Sequence, residues 1–164
     1  MEKRDIVLSR VYDVPVERVW KAWSEAEGVM QWWGPDRFTC PSAVMDFRES
    51  GRSIVCMRAP KEFGGMDMYS VWAYLKIEPL RSIDFVQNLA DKDGNVMEPT
   101  ELGMPPEFPK DMRTLVTLED LGTGKTKMTV TEYDWPICKM REMSEMGLNQ
   151  CLEKIGRSFD TTRA

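Results

Sequence analysis

The chain has no histidine among its 164 residues, which removes Ser-His-Asp and Cys-His catalysis, imidazole metal sites and histidine-based pH switching. It has no C-x-x-C pair either: Cys40, Cys56, Cys138 and Cys151 lie far apart, so they read as reduced, buried thiols. Neither cysteines nor carboxylates show metal-ligand spacing, and the expectation is no metal and no cofactor. No apolar run approaches the roughly 20 residues that span a bilayer. The opening Glu2-Lys3-Arg4-Asp5 is already charged, unlike a secretory leader, and a cytoplasmic location is expected. Positive charge is in deficit: 22 Lys and Arg against 27 Asp and Glu give −5, a field that repels phosphate backbones and anionic lipid. Nucleic acid and membrane are therefore not expected partners.

What is present fits one ordinary globular domain over 1–164, with 42% hydrophobic and 30% charged residues. Partial alternation over 5–14 predicts a strand, and Pro15 suits the first turn of a helix. Val16, Val19, Trp20 and Trp23 then fall at i, i+3, i+4 and i+7, an amphipathic helix to about residue 25 with both tryptophans in the core. A second short helix over 26–33 stops at Gly34-Pro35. Strands follow at about 42–48, 52–58, 67–77, 82–88, 113–120 and 125–133, separated by short turn signals and so antiparallel. From Lys139, the residues Met140, Met143, Gly147, Leu148, Cys151, Leu152, Ile155 and Phe159 trace one helical stripe. The segregated order predicts an α+β fold, one antiparallel sheet burying its concave face against a terminal helix.

The segment 88–112 is an irregular loop holding Pro99, Pro105, Pro106 and Pro109, with Asp91, Asp93, Glu98, Glu101, Glu107 and Asp111 against Lys92 and Lys110. Such a loop is either a functional lid or simply mobile, with Met97, Leu102, Met104 and Phe108 available for docking. Gly122-Thr123-Gly124-Lys125-Thr126 ends like a P-loop, but Glu119 stands where a glycine is needed and strand follows, so a hairpin turn is the reading. Asp91-Lys92-Asp93-Gly94-Asn95 opens like a calcium loop, yet Leu102 occupies the twelfth position, and a turn is preferred.

Pro15-Val16-Glu17-Arg18-Val19-Trp20 with Gln31-Trp32-Trp33-Gly34-Pro35 resembles the N-terminal signature of the family named after the activator of the 90-kDa heat-shock protein ATPase. Met45-Asp46-Phe47-Arg48, Gly51-Arg52, Met57-Arg58-Ala59-Pro60 and Tyr74 with Ile77-Glu78-Pro79 are similar to its later blocks, so the likeness runs from Asp5 to Phe159. The resemblance implies the START-like, or Bet v 1-like (SRPBCC), helix-grip fold: a curved antiparallel sheet of six or seven strands wrapped around a long C-terminal helix, with two short helices after the first strand. It also implies a cavity between sheet and helix, and members that often dimerise. Ser50 stands where many members carry a second glycine.

If the sheet grips the helix, strand parity nominates Val55, Met57, Ser70, Trp72, Tyr74, Phe85 and Gln87 as cavity-facing, with Val71 and Ala73 the alternatives under a one-residue slip. Trp32 and Trp33 cannot both face the core, so one of them, Trp33, is placed at the cavity mouth. Met143 and Gly147 on the last helix complete the expected ligand-binding set; methionine gives an adaptable wall and glycine leaves room. No catalytic residue is assigned; Glu132, in phase with Met128 and Val130, is the first candidate if there is one, because burial raises a carboxyl pKa into a useful range. The leading expectation is a non-catalytic module enclosing a small hydrophobic or amphipathic molecule, with Tyr74 or Gln87 orienting a polar group. A protein-interaction module contacting a chaperone or another partner is second, since the extra N-terminal domain of larger chaperone activators is not expected here. A cyclase- or hydrolase-type enzyme using Glu132, Tyr74 or Arg58 is third.

Overall fold

The computed structural model describes residues 2–161; Met1 and 162–164, the ends of the expected domain, lie outside them. Strand β1 (Lys3–Tyr12) leads through Pro15, whose carbonyl accepts from Arg18 N at 3.0 Å, into α1 (Val16–Ser24). Val16, Val19, Ala22 and Trp23 are the buried stripe of α1, and α2 (Ala26–Val29) follows. Then come β2 (Ala43–Val44), β3 (Arg52–Arg58), β4 (Asp67–Glu78), β5 (Ser82–Ala90), β6 (Met112–Gly122), β7 (Lys125–Pro136) and α3 (Lys139–Thr161). Among the described residues these strands form one sheet in the order β1-β7-β6-β5-β4-β3-β2, every neighbouring pair antiparallel. Hairpins link β3 through β7 in sequence, and β1 returns beside β7 to flank the last of them. The α+β helix-grip architecture is as expected, with α1 over β6 and β7 and α3 beside β1.

Two elements are shorter than the sequence suggests. The strand expected over 42–48 is reduced to Ala43–Val44, because the chain turns at once: Arg48 N donates to Asp46 O, Gly51 N to Arg48 O, and Ser50 takes a φ of 66°. The helix expected over 26–33 closes at Val29, and 30–32 continue as a turn. The hairpin at Gly122-Thr123-Gly124 carries left-handed Thr123 and Gly124, the geometry of a tight β-turn and not of a phosphate loop.

The loop 91–111 is structured. Asp91 accepts from the backbone N–H of Asp93 and Asn95, both at 2.9 Å, an Asx turn that forces Gly94 to a φ of +85°. A Cβ at Gly94 would lie 2.7 Å from Ile54 Cδ1, so glycine lets the loop lie flat against the outer face of β3 and β4. Its far end is pinned by Asn88 Nδ2 donating to Lys110 O at 2.9 Å. Among the described residues all four cysteines are free; Cys40, Cys56 and Cys151 are buried as expected, whereas Cys138 is half-exposed at the start of α3.

Candidate functional site

The concave face of the sheet divides into two zones. Towards β2 and the end of α1, indole and phenyl rings fill the space: Trp72 lies 5.9 Å from Trp23, 6.3 Å from Trp32 and 5.3 Å from Phe85, centroid to centroid, and Tyr74 lies 5.0 Å from Phe47. Trp32 donates to Ala22 O at 2.8 Å, Trp23 to Met128 Sδ at 3.2 Å, and Tyr74 shares a 2.7 Å hydrogen bond with Ser53. Towards the other ends of the same strands this filling stops. A cavity of about 390 Å³ opens between the sheet, the N-terminal half of α3 and the proline-rich loop, within the roughly 300–1,000 Å³ usual for small-molecule sites.

Trp33, Met57, Gln87, Met143 and Gly147 line this cavity, as do Ser70 and Glu132. Val55, Trp72, Tyr74 and Phe85, expected beside them, do not: they are buried in the aromatic zone. Parity is not the reason, since Trp72 and Tyr74 pack against concave-face rings while Val71 lies near Gly94 on the other side. The difference lies along the strand. Met57, Ser70 and Gln87 sit two residues beyond Val55, Trp72 and Phe85 in the direction away from α1, and Trp23 and Trp32 already occupy the space above the inner set. Hence Tyr74 lies outside the cavity and Gln87 lines it.

Glu132 faces inward by regular alternation with Met128 and Val130, and Trp135 joins it through an irregularity in β7. Register with β1 jumps between Arg4, opposite Trp135, and Ile6, opposite Glu132. Asp134 takes a φ of 58° there, and its N–H donates to Asp5 Oδ1 at 2.9 Å. In a regular strand residues three apart face opposite sides; the bulge turns Trp135 to the inward face that Glu132 already shares, so Trp135 Nε1 donates to Glu132 Oε1 at 3.1 Å. Glu132 is 8% exposed. Burial pushes its carboxyl up to about 7, and hydrogen bonds from Trp135 and Gln87 pull part of the way back. The Gln87 amide is held in turn by Thr114 Oγ1 at 3.0 Å.

Trp135 was not legible as a site residue, because alternation through 128–135 assigns it outward; its one signal is Asp134, a residue that tolerates left-handed backbone. The loop supplies the roof. Phe108 stands edge-on to Trp135 at 5.5 Å, and Met104, Phe108 and Pro109 face the cavity. Of the expected docking residues, Met97 and Leu102 do not line it. A further wall is 34–38, where Gly34 at φ +109° passes so close to Phe38 that a Cβ would lie 3.0 Å away. Lys154 braces this segment, its Nζ donating to Gly34 O at 2.8 Å and Phe38 O at 3.1 Å. Desolvation lowers the Lys154 pKa. The thiol of Cys151, also on the wall, is pushed up to about 11 by burial and stays neutral. Arg58, the other polar candidate, forms an exposed bidentate pair with Asp67 at 2.7 and 3.0 Å. Among the described residues no cluster of side chains could hold a metal ion, and no helix is long and apolar enough to cross a membrane.

The model of the family described as Activator of Hsp90 ATPase homolog 1-like protein matches residues 13–160. The chain is similar in fold to a protein from Arthrobacter aurescens (24% identity, TM-score 0.77, covering 97% of this chain and 87% of that one). It is likewise similar to a protein from Chromobacterium violaceum (23%, TM-score 0.74, 93% and 94%). A third likeness is to an AHSA1 protein from Silicibacter pomeroyi (18%, TM-score 0.74, 96% and 99%). No curated protein matches the chain.

Proposed function

The chain belongs to the Activator of Hsp90 ATPase homolog 1-like family, and from that premise we propose that it binds a small hydrophobic or amphipathic molecule in the cavity between sheet, loop and α3. The observation that carries the reading is the cavity itself: about 390 Å³ walled by Trp33, Met57, Leu89, Met112 and Phe108, with Gln87 and Glu132 as inward polar groups. Burying hydrocarbon there gains roughly 25 cal/mol per Å² removed from water, and a few polar anchors in an apolar wall fix orientation. No step of bond making is needed for this role, and the reading is of a binding module rather than an enzyme. Native mass spectrometry of the purified protein, repeated after organic extraction, tests it. A discrete bound mass lost on extraction is the expected result; a protein that never carries a small molecule, and takes up none from a panel of lipophilic compounds, refutes it.

A second reading, a co-chaperone-like module, has the family and one surface observation in its favour. Phe63 and Met66 stand exposed on the β3–β4 connection, and Arg37 lies over the Phe63 ring at 5.7 Å. Aromatic and cationic residues of this kind anchor protein interfaces. An unchanged ATPase rate of the 90-kDa chaperone, with no complex in a pull-down, removes this reading.

A further inference from the structure

Two side chains that carry charge line the cavity, Glu132 and Lys110. Lys110 lies at the rim, exposed, with its Nζ 2.7 Å from Glu98 Oε1. Glu132 is sunk in the wall, and what faces it is neutral: the Trp135 indole on its own strand, the Gln87 amide from β5, Thr114 opposite on β6, Ile6 opposite on β1 and the neutral Cys151 thiol from α3. Among the described residues, no cation is paired with it. An unpaired carboxylate in an apolar wall costs free energy that a glutamine of the same shape would avoid. Yet the surrounding donors are arranged for the anion: Trp135 N–H and the Gln87 amide both favour the ionised form. A carboxylate held by donors on the protein side and without a counter-charge on the cavity side is a built acceptor for a cation.

We infer that Glu132 makes this cavity a receptor for lipophilic amines, its carboxylate accepting hydrogen bonds from the ligand's ammonium group while the methionine and aromatic wall takes the hydrocarbon. The inference rests on the ligand-binding reading and names the ligand class for it. A second observation points the same way. The loop that roofs the cavity carries Asp91, Asp93, Glu98, Glu101, Glu107 and Asp111 against Lys92 and Lys110, in a chain of net charge −5. Such a field raises the local concentration of cations at the mouth and disfavours fatty acids and other lipophilic anions.

The test is calorimetric titration of the whole protein with a matched pair of probes, 4-phenylbutylamine and 4-phenylbutan-1-ol, at pH 6 and pH 8. The amine is expected to bind at least about tenfold more tightly than the alcohol at pH 8. Its affinity should weaken by about tenfold at pH 6, where Glu132 is mostly protonated and only the ionised fraction is competent, while the alcohol shows no such change. In Glu132→Gln the amine loses its advantage over the alcohol. Should that variant fail to fold, the native protein still decides: amine binding at pH 6 must release a proton, read from titrations in two buffers of different ionisation enthalpy, and alcohol binding must not. Equal affinities for the two probes, or amine binding indifferent to pH, overturn the inference while leaving the ligand-binding reading intact. Failure of both probes to bind, together with no copurifying mass, overturns both.

Discussion

The two halves of α3 meet the same sheet and are treated oppositely by it. From Leu152 to Phe159 the helix is gripped: Leu152 and Ile155 are fully buried, Tyr12 donates its hydroxyl to Leu152 O at 2.8 Å, and the Phe159 ring stands edge-on to Tyr12 at 5.4 Å. From Met140 to Cys151 the stripe continues in sequence but faces the cavity, and Met143 is 55% exposed. The sheet shows the same division, a packed aromatic zone beneath α1 and an unfilled zone beyond Met57, Ser70 and Gln87. One continuous amphipathic helix thus serves as core at one end and as a cavity wall at the other. The difference lies in what the opposing elements bring: tryptophans from α1 and the turn after α2 on one side, a bulged strand and a loop on the other.

The contrast is broken most severely at the gripped end. Leu152→Ala should cost about 2–5 kcal/mol of stability, since its cavity would open among fully packed neighbours, whereas Met143→Ala should cost well under about 1 kcal/mol; denaturant unfolding of the two variants compares them directly. Equal losses would mean that both ends are core.

Next in size is the pH response of the cavity end. Burial raises the Glu132 carboxyl to about 7 in the folded protein from 4.5, so the native state holds a proton that the unfolded chain has already released. Stability from this group is greatest below pH 4.5, falls as pH rises to 7, and is flat above, a loss of about 3 kcal/mol in all. Glu132→Gln should lack that slope, so it emerges as the difference between the two proteins' unfolding free energies across pH. A slope unchanged by the substitution would show that the carboxylate is solvated in the free protein.

The smallest effect sharpens the comparison. A Cβ at Gly147 would meet only Pro35 Cβ at 3.7 Å, ordinary contact. Gly147→Ala should therefore stabilise the fold slightly, by up to about 1 kcal/mol of helix propensity, seen as a raised melting temperature, while reducing uptake of lipophilic probes. A destabilised variant would show the helix to be closer to the wall than its neighbours indicate.

Much of this was legible in the residues. The stripe from Met140 to Phe159 fixed α3, turn residues fixed the hairpins, and parity placed Trp72 and Tyr74 on the concave face. Glu132 stood out as an acid in phase with Met128 and Val130. What could not be read was distance along the strand: Val55 and Met57, or Trp72 and Ser70, share a face and differ only in what stands opposite. Trp135 was hidden because a bulge at Asp5 and Asp134 reversed its face, and alternation presumes a regular strand. The loop's composition gave irregularity and acidity but not its docking of Phe108 on Trp135.

Local periodicity and turn chemistry, then, determined by themselves which segments are strands and helices, which face of each is apolar, and that one sheet must close on the last helix. These are properties of residues a few positions apart, set by backbone geometry and by the exclusion of apolar side chains from water. Where the closed core stops being filled was decided only in three dimensions. Whether a side chain becomes packing or cavity wall depends on the volume delivered by elements distant in sequence, here Trp23 and Trp32 against Trp72 at one end, and Glu132, Gln87 and the roof of Phe108 at the other.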